Sequence, residues 1–305
     1  MKVLAIIISY HFMPWVDKCL PSLQASAYPM DVMVLDNGSK DESVEYVRCN
    51  YPDVSVVDNH ANLGFGKANN IGMHHAMENG YDAVLLINQD AWLEADALGK
   101  MVEVMESHPD YGIVSPVHRN GAGDKLERGF AAYTGLKDLQ HLPHDTVVEV
   151  PFINAAIWLV RLEALKRTGL FAPLFYHYGE DKDLANRMAY HHYKIGYVPS
   201  AFGCHDREFR EMGREKFFWT EYVYHLSEYA NVNHSCTKAF AKGVLAAVKK
   251  ALVSAFHGKW RDTAAYTRLG WRLLCRSNAV RKTRKMARNS AHIPSPRGEG
   301  QGWGL

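Results

Sequence analysis

The sequence is short of several things, and each shortage excludes a class of protein. Its five cysteines, Cys19, Cys49, Cys204, Cys236 and Cys275, form no CxxC pair and are odd in number. That argues against both a disulfide framework and a cysteine-rich zinc site, and it fits a reducing cytoplasm. No uninterrupted apolar run reaches the roughly 18 residues that a membrane-crossing helix needs. The apolar start "VLAIII" lacks the flanks of a signal peptide, so neither a membrane span nor export is expected. The first apolar run is not followed by GxGxxG, which disfavours a nicotinamide-type enzyme. Acids are scarce in one region only. Residues 237–288 carry 14 Lys and Arg against the single acid Asp262, whereas residues 1–236 carry 20 against 31. A back end that basic suits an anionic surface, and the formal net charge of +2 conceals it.

What is present is a chain of 305 residues, 47% hydrophobic, enough to bury one large domain with a smaller appendage. Apolar runs at 3–9, 32–37, 54–59, 83–88 and 112–116 alternate with amphipathic stretches at 15–26, 41–49, 66–79 and 94–107. Strands buried on both faces read as continuous apolar runs, so the pattern predicts a mainly parallel, Rossmann-like sheet flanked by helices. Ligands bind such sheets beyond the carboxyl ends of the strands. Polar residues collect at those ends: Ser9 and Tyr10, Asp36 and Asn37, Asp58 and Asn59, Asn88 to Asp90. Residues 117–150 read as a loop and hairpin over the site. The stretch 150–169 then reads as strand, turn and short helix, and 179 opens another helix before a last strand at 194–199. Beyond 210 the chain reads as helical, and the Gly- and Pro-rich residues 289–305 as a disordered tail.

Four stretches carry candidate chemistry. In "VLDNGSKDES" (34–43) Asp36 either shapes a turn or accepts the N–H of a pyrimidine base. "NLGFGKANNIG" (62–72) opens a helix with glycines whose free N–H groups can cradle phosphate. "VLLINQDAWL" (84–93) ends a strand on Asn88, Gln89 and Asp90. Either this caps the next helix or Asp90 offers a carboxylate to a divalent cation that bridges phosphates. "GEDKDL" (179–184) crowds three acids into one helical turn. The helix dipole accounts for acids there, but mutual repulsion should raise at least one pKa, which a general base requires. His205 reads as a core histidine or a metal ligand.

Together with "IISYH", "FINAAIWLVRLEALKRTGLFAPLFYHYGEDKDLANRM" and "KIGYVPSAFGCHD", these stretches stand in the order found in a known family. Over residues 3–206 the chain resembles glycosyltransferase family 2, of GT-A fold, and within it the bacterial rhamnosyltransferase-like, polysaccharide-assembly branch. The resemblance implies that Ser9, Asp36 and Asn62 surround the base and ribose of a nucleotide donor, with Gly66 and Asn70 lining its pocket. Asn88 and Asp90 take the first and last places of the family's DxD motif, facing the donor. Asp90 and His205 would hold Mg²⁺ or Mn²⁺, while Asp181 would be the catalytic base and Glu180 beside it an acceptor contact. Asn88 replaces the motif's first aspartate, which shifts the expected metal hold toward His205 and the donor's diphosphate.

The implied activity is inverting transfer of a sugar from dTDP-rhamnose or a UDP-hexose to a hydroxyl of a glycan or lipid-linked acceptor. A non-catalytic nucleotide-sugar or glycan-binding protein on the same fold is the alternative. The implied organisation is a GT-A domain over 1–210, with a nucleotide-sugar half to about 116 and an acceptor half from about 117, then a basic helical extension over 211–288. Residues 238–288 set Trp260 and Trp271 among basic residues. They are expected to meet an anionic membrane surface, placing the protein on the inner face of the cytoplasmic membrane. No nucleic-acid motif accompanies the charge, and no nucleic-acid partner is expected.

Overall fold

The computed structural model describes residues 1–207 and 213–289. Strands and helices alternate as β1 (Val3–Ser9), α1 (Val16–Gln24), β2 (Asp31–Asp36), α2 (Ser43–Asn50), β3 (Ser55–Asp58), α3 (Phe65–Glu78) and β4 (Ala83–Asn88). Next come β5 (Ala91–Leu93), α4 (Ala97–Ser107), β6 (Tyr111–Arg119), α5 (Arg128–Thr134), β7 (Val148–Glu149), β8 (Ile157–Arg161), α6 (Leu162–Thr168), α7 (Glu180–Tyr190) and β9 (Lys194–His205). The rest is helical: α8 (Arg214–Ala230), α9 (Cys236–Phe240), a π turn (Ala241–Leu245), α10 (Ala246–Phe256), α11 (Trp260–Cys275) and α12 (Ser277–Arg288). The boundary expected at residue 210 and the tail expected to be disordered, Asn289 apart, lie outside the described residues. No helix among the described residues is long and apolar enough to cross a membrane.

The strands form one sheet in the order β3-β2-β1-β4-β8-β6-β9-β5, with β7 paired to β9. The first four are parallel as expected. β8 is not: it runs antiparallel between β4 and β6, and β6 in turn lies parallel to β9. An apolar run marks a buried strand without giving its direction, so the run over 112–116 does not reveal that β8 separates it from β4. The region 117–150 holds the short hairpin marked by the Arg119–Leu126 bridge, and also α5, which the sequence pattern did not show.

Alternate residues of each strand feed opposite faces, as the pleat requires. Ala5, Ile7, Leu85 and Ile87 pack with Leu20, Leu98 and Met101 of α1 and α4. Leu4, Ile6 and Leu86 pack with Met73, Trp158, Leu165 and Leu184 on the other side, toward α3, α6 and α7. A third cluster, with Tyr222, Leu226, Leu269 and Leu273, joins the C-terminal helices to Phe175, just ahead of α7. The carboxyl ends of β1, β2 and β4 line up, with Ser9 opposite Asp36 and Ile8 opposite Asn88.

Candidate active site

At the ends of β1 and β2, the Asp36 carboxylate is wholly buried and accepts three hydrogen bonds. The Ser9 hydroxyl donates to it at 2.8 Å, and Ser39 donates from both its N–H (2.7 Å) and its hydroxyl (2.5 Å). These bonds fix the turn after β2, and the Asn37 N–H closes it onto the Ser9 carbonyl at 2.8 Å. A carboxylate has about four lone-pair sites, so one more donor can be met at this position. Gln89 ties β4 to β1: its carbonyl accepts from the Tyr10 N–H at 2.8 Å and its amide donates to the Tyr10 carbonyl at 3.0 Å. The middle residue of "NQD" therefore braces the edge, between half-buried Asn88 and Asp90.

Asp90 is partly exposed, and its Oδ1 lies 3.5 Å from Nε2 of the buried His205. The pairing follows from topology, because β5 runs antiparallel to the end of β9 with Ala91 opposite His205. Behind His205, the small hairpin after β6 folds Glu127 back toward His118, whose carbonyl accepts from the Glu127 N–H at 2.9 Å. His118, Glu127 and His205 are all buried, and one ligand atom of each lies within 4.8 Å of the others. Nδ1 of both imidazoles has no hydrogen-bond partner among the described residues. Burial, with His205 adjacent, pushes the His118 pKa down to about 3, so that imidazole is neutral with a lone pair to offer. Oxygen and imidazole donors of this kind suit Mn²⁺, Zn²⁺ or a related divalent cation. His118, Glu127 and His205 thus form a group that could hold a metal ion, with Asp90 next to His205.

The acids of α7 divide by environment. Asp183 is buried and spent: the Arg187 guanidinium donates to it at 2.8 Å and also to the Thr168 and Gly169 carbonyls at 2.7 and 3.0 Å. The crowding of three like charges expected from the sequence is therefore relieved by one structural ion pair. Glu180 is buried, its Oε2 finds no partner among the described residues, and burial together with Asp181 raises its pKa to about 7. Burial also raises Asp181, against the backbone N–H groups of Lys182 and Ala155, which favour its charged form. Ala155 belongs to the turn before β8, and the next carbonyl, Ala156, accepts the Asn88 N–H at 2.8 Å. One turn thus connects the acid pair to the polar end of β4.

The loop at 61–66 meets the segment leading into α7. The Asn62 side chain accepts the Gly64 N–H at 3.0 Å, and the Tyr176 hydroxyl donates to the Asn62 carbonyl at 3.2 Å. Gly64 has φ +79°, and a Cβ there would sit 2.4 Å from the Tyr176 carbonyl oxygen, so the close approach requires glycine. Gly66 packs on Phe171 and Glu180. The Asn70 amide brackets the Phe171 backbone, donating to its carbonyl at 2.9 Å and accepting its N–H at 3.0 Å. Gly66 and Asn70, which the resemblance implies line the donor pocket, thus also pack against and brace the segment that leads into α7. The residues missed in sequence, Gln89, His118, Glu127, Arg187 and Tyr176, all act through pairings 18 or more residues away or through a fold-back, which no local pattern records.

Comparison with known proteins agrees with this architecture. The L-rhamnosyltransferase described as N-acetylglucosaminyl-diphospho-decaprenol L-rhamnosyltransferase from Mycobacterium tuberculosis is 25% identical over 228 residues, 66% of this chain and 74% of the relative. TarS 1-349 from S. aureus, solved with UDP-GlcNAc, superposes with a TM-score of 0.58 at 16% identity, covering 94% of this chain and 92% of that one. Against a longer TarS structure, this chain spans only 42%. The mannosyltransferase PcManGT from Pyrobaculum calidifontis, solved with GDP-Man and Mn²⁺, gives 0.55 at 17% identity over 94% of this chain and 84% of its own. These likenesses show a GT-A fold. The family profile described as Glycosyl transferase family 2 matches residues 5–169, more than half of the sequence. The chain belongs to glycosyl transferase family 2.

Proposed function

We propose that this glycosyltransferase is inverting, moving a sugar from dTDP-rhamnose or a UDP-hexose to a hydroxyl of a glycan or lipid-linked oligosaccharide in cell-surface polysaccharide synthesis. The observation that carries the reading is the single edge on which three groups converge: the braced Asp36–Ser9 turn, the Asp90–His205 pair and the Glu180–Asp181 acids, bridged by the turn at 154–156. The Mycobacterium tuberculosis relative, named for L-rhamnosyl transfer to a lipid diphosphate, supports the donor and acceptor classes.

In this proposal Asp181 takes the proton from the acceptor hydroxyl as its oxygen attacks the anomeric carbon, on the face opposite the leaving diphosphate. A raised pKa makes its carboxylate basic enough for the transfer. Glu180, half protonated near neutrality, keeps the pair from carrying two full charges and holds the acceptor. Ser9, Asp36 and Asn62 hold the base and ribose, with Asn88 and Asp90 toward the diphosphate. A divalent cation, Mg²⁺ or Mn²⁺, held by Asp90 and His205 would offset the negative charge growing on the leaving group. The division into donor half, acceptor half and basic extension, and a cytoplasmic, peripheral place on the inner membrane face, complete the proposal.

The test is Asp181→Asn. Transfer should fall by about 10²–10⁴-fold, the usual worth of a positioned base, while donor nucleotide sugars still raise the melting temperature. Transfer at the parental rate would remove Asp181 from its role. Donor binding with no transfer or hydrolysis by the parent under any metal condition would favour the non-catalytic alternative.

A further inference from the structure

The C-terminal helices show a surface that the reaction does not explain. α10 and α11 pack as an antiparallel hairpin turned at Gly258, φ +68°. Ala247 and Ala251 face inward, in the cluster that holds Tyr266, Leu269 and Leu273. On the outward face, Leu245, Val248, Leu252 and Phe256 recur at the three- and four-residue spacing of one helical stripe, and all four are exposed. Exposure grows toward the turn: Leu252 is 67% exposed, Phe256 88% and Trp260, on the far side of the turn, 71%. Exposed Lys249, Lys259 and Arg261 flank them. The only acid of the region, Asp262, is taken up by Arg214 at 2.6 Å.

We propose that this hairpin tip is a wedge that enters the headgroup layer of an anionic bilayer, with Leu252, Phe256 and Trp260 immersed and Lys249, Lys259 and Arg261 on the phosphates. Scattered apolar residues on a surface need no partner, but a contiguous stripe ending in the two most exposed aromatics among the described residues does. Tryptophan belongs at the interface between headgroup and acyl chain, and basic residues beside it add attraction to anionic lipid. A second copy of the chain would set two strongly basic faces against each other, and nucleic acid offers no partner for the apolar tip. Through α8 the same helical cluster abuts Phe175 and Gly179, immediately before the acid pair, so a docked tip fixes the orientation of the acceptor side toward the lipid. The inference rests on the peripheral location proposed above but not on the chemistry.

The test uses the full chain and vesicles of phosphatidylcholine with or without phosphatidylglycerol in a flotation assay. The protein should float with the anionic vesicles at low salt. Leu252→Ser/Phe256→Ser/Trp260→Ser should lower the apparent affinity by at least tenfold, and Lys249→Glu/Lys259→Glu/Arg261→Glu should do the same. Donor-induced thermal stabilisation should be unchanged in both, which separates failure of docking from failure of the catalytic reading. Equal flotation of parent and apolar variant, retention on heparin without vesicle binding, or a parental dimer that the apolar variant dissolves would each overturn the proposal.

Discussion

Asp90 and His205 meet where β5 doubles back along the end of β9, with 3.5 Å between carboxylate and imidazole. That imidazole has two candidate sets of partners for a cation: Asp90, as proposed above, and buried His118 and Glu127, which with it could hold a metal ion. The substitutions Asp90→Asn and His118→Ala separate them. If the working cation sits on the cleft side, Asp90→Asn should weaken Mn²⁺-dependent donor stabilisation at least tenfold, and His118→Ala should leave it nearly intact. The check is a Mn²⁺ titration of the melting temperature at fixed UDP or dTDP-sugar. The reverse ranking would move the cation behind His205.

Glu180 gives a pH dependence with a definite sign. Its pKa is raised from 4.5 to about 7 by burial and by Asp181, so the folded state prefers the neutral acid. Below about pH 4.5 the group is protonated in both folded and unfolded chains and costs nothing. Between about pH 4.5 and 7 the unfolded chain ionises while the folded state keeps its proton, so stability falls by about 3 kcal/mol in all, a loss complete once pH has risen through about 7. Glu180→Gln removes that loss, so urea midpoints measured at pH 5 and pH 8 should lie closer together in the variant. Asp181 shifts in the same direction and remains in the variant, leaving a residual slope. An unchanged slope would mean that Glu180 ionises elsewhere.

Asp183 and Arg187 form a buried pair whose guanidinium also holds the end of α6. Removing one partner strands the other charge. Asp183→Leu alone should therefore cost about 3–5 kcal/mol, and the double variant Asp183→Leu/Arg187→Met distinctly less. Equilibrium denaturation of the three proteins checks this. Equal costs for single and double variants would show that the carbonyl contacts, and not the ion pair, carry the effect.

The sequence made much of this edge legible, and the limits have physical causes. Apolar runs ending on Ser9, Asp36 and Asn88 locate the carboxyl ends of three parallel strands, because a buried strand can turn polar only where it leaves the sheet. The antiparallel entry of β8 escaped, since hydrophobicity carries no direction. In "GEDKDL" the acids are visible, but the partner that neutralises Asp183 lies one helical turn on and binds carbonyls 18 and 19 residues back. For Asn70 the resemblance implies a place in the donor pocket, while its bonds to the Phe171 backbone, 101 residues on, leave no local trace in the sequence. Gln89 stands out only as part of the polar strand end, and its bracing role is hidden because its partner, Tyr10, lies across the sheet.

Gly179 tests whether the approach to the acid pair must be this tight. The backbone turns left-handed at both Tyr178 (φ +68°) and Gly179 (φ +92°) before α7 begins, and the turn leads into buried Glu180 and half-buried Asp181. A Cβ on Gly179 would lie 2.8 Å from a Val223 methyl on α8 and 2.9 Å from the Phe175 ring. Gly135 has a similar φ of +76° but open space around it. Gly135→Ala therefore measures backbone strain alone, about 1–2 kcal/mol. Gly179→Ala adds overpacking, a further ~1–3 kcal/mol, and displaces the start of α7. Denaturation should show the larger loss at Gly179. Transfer should also fall more than tenfold there while remaining near parental in Gly135→Ala, because only the change at Gly179 moves Asp181, the proposed base. Equal stability and activity in the two variants would mean that α8 yields, and that the acid pair tolerates the shift.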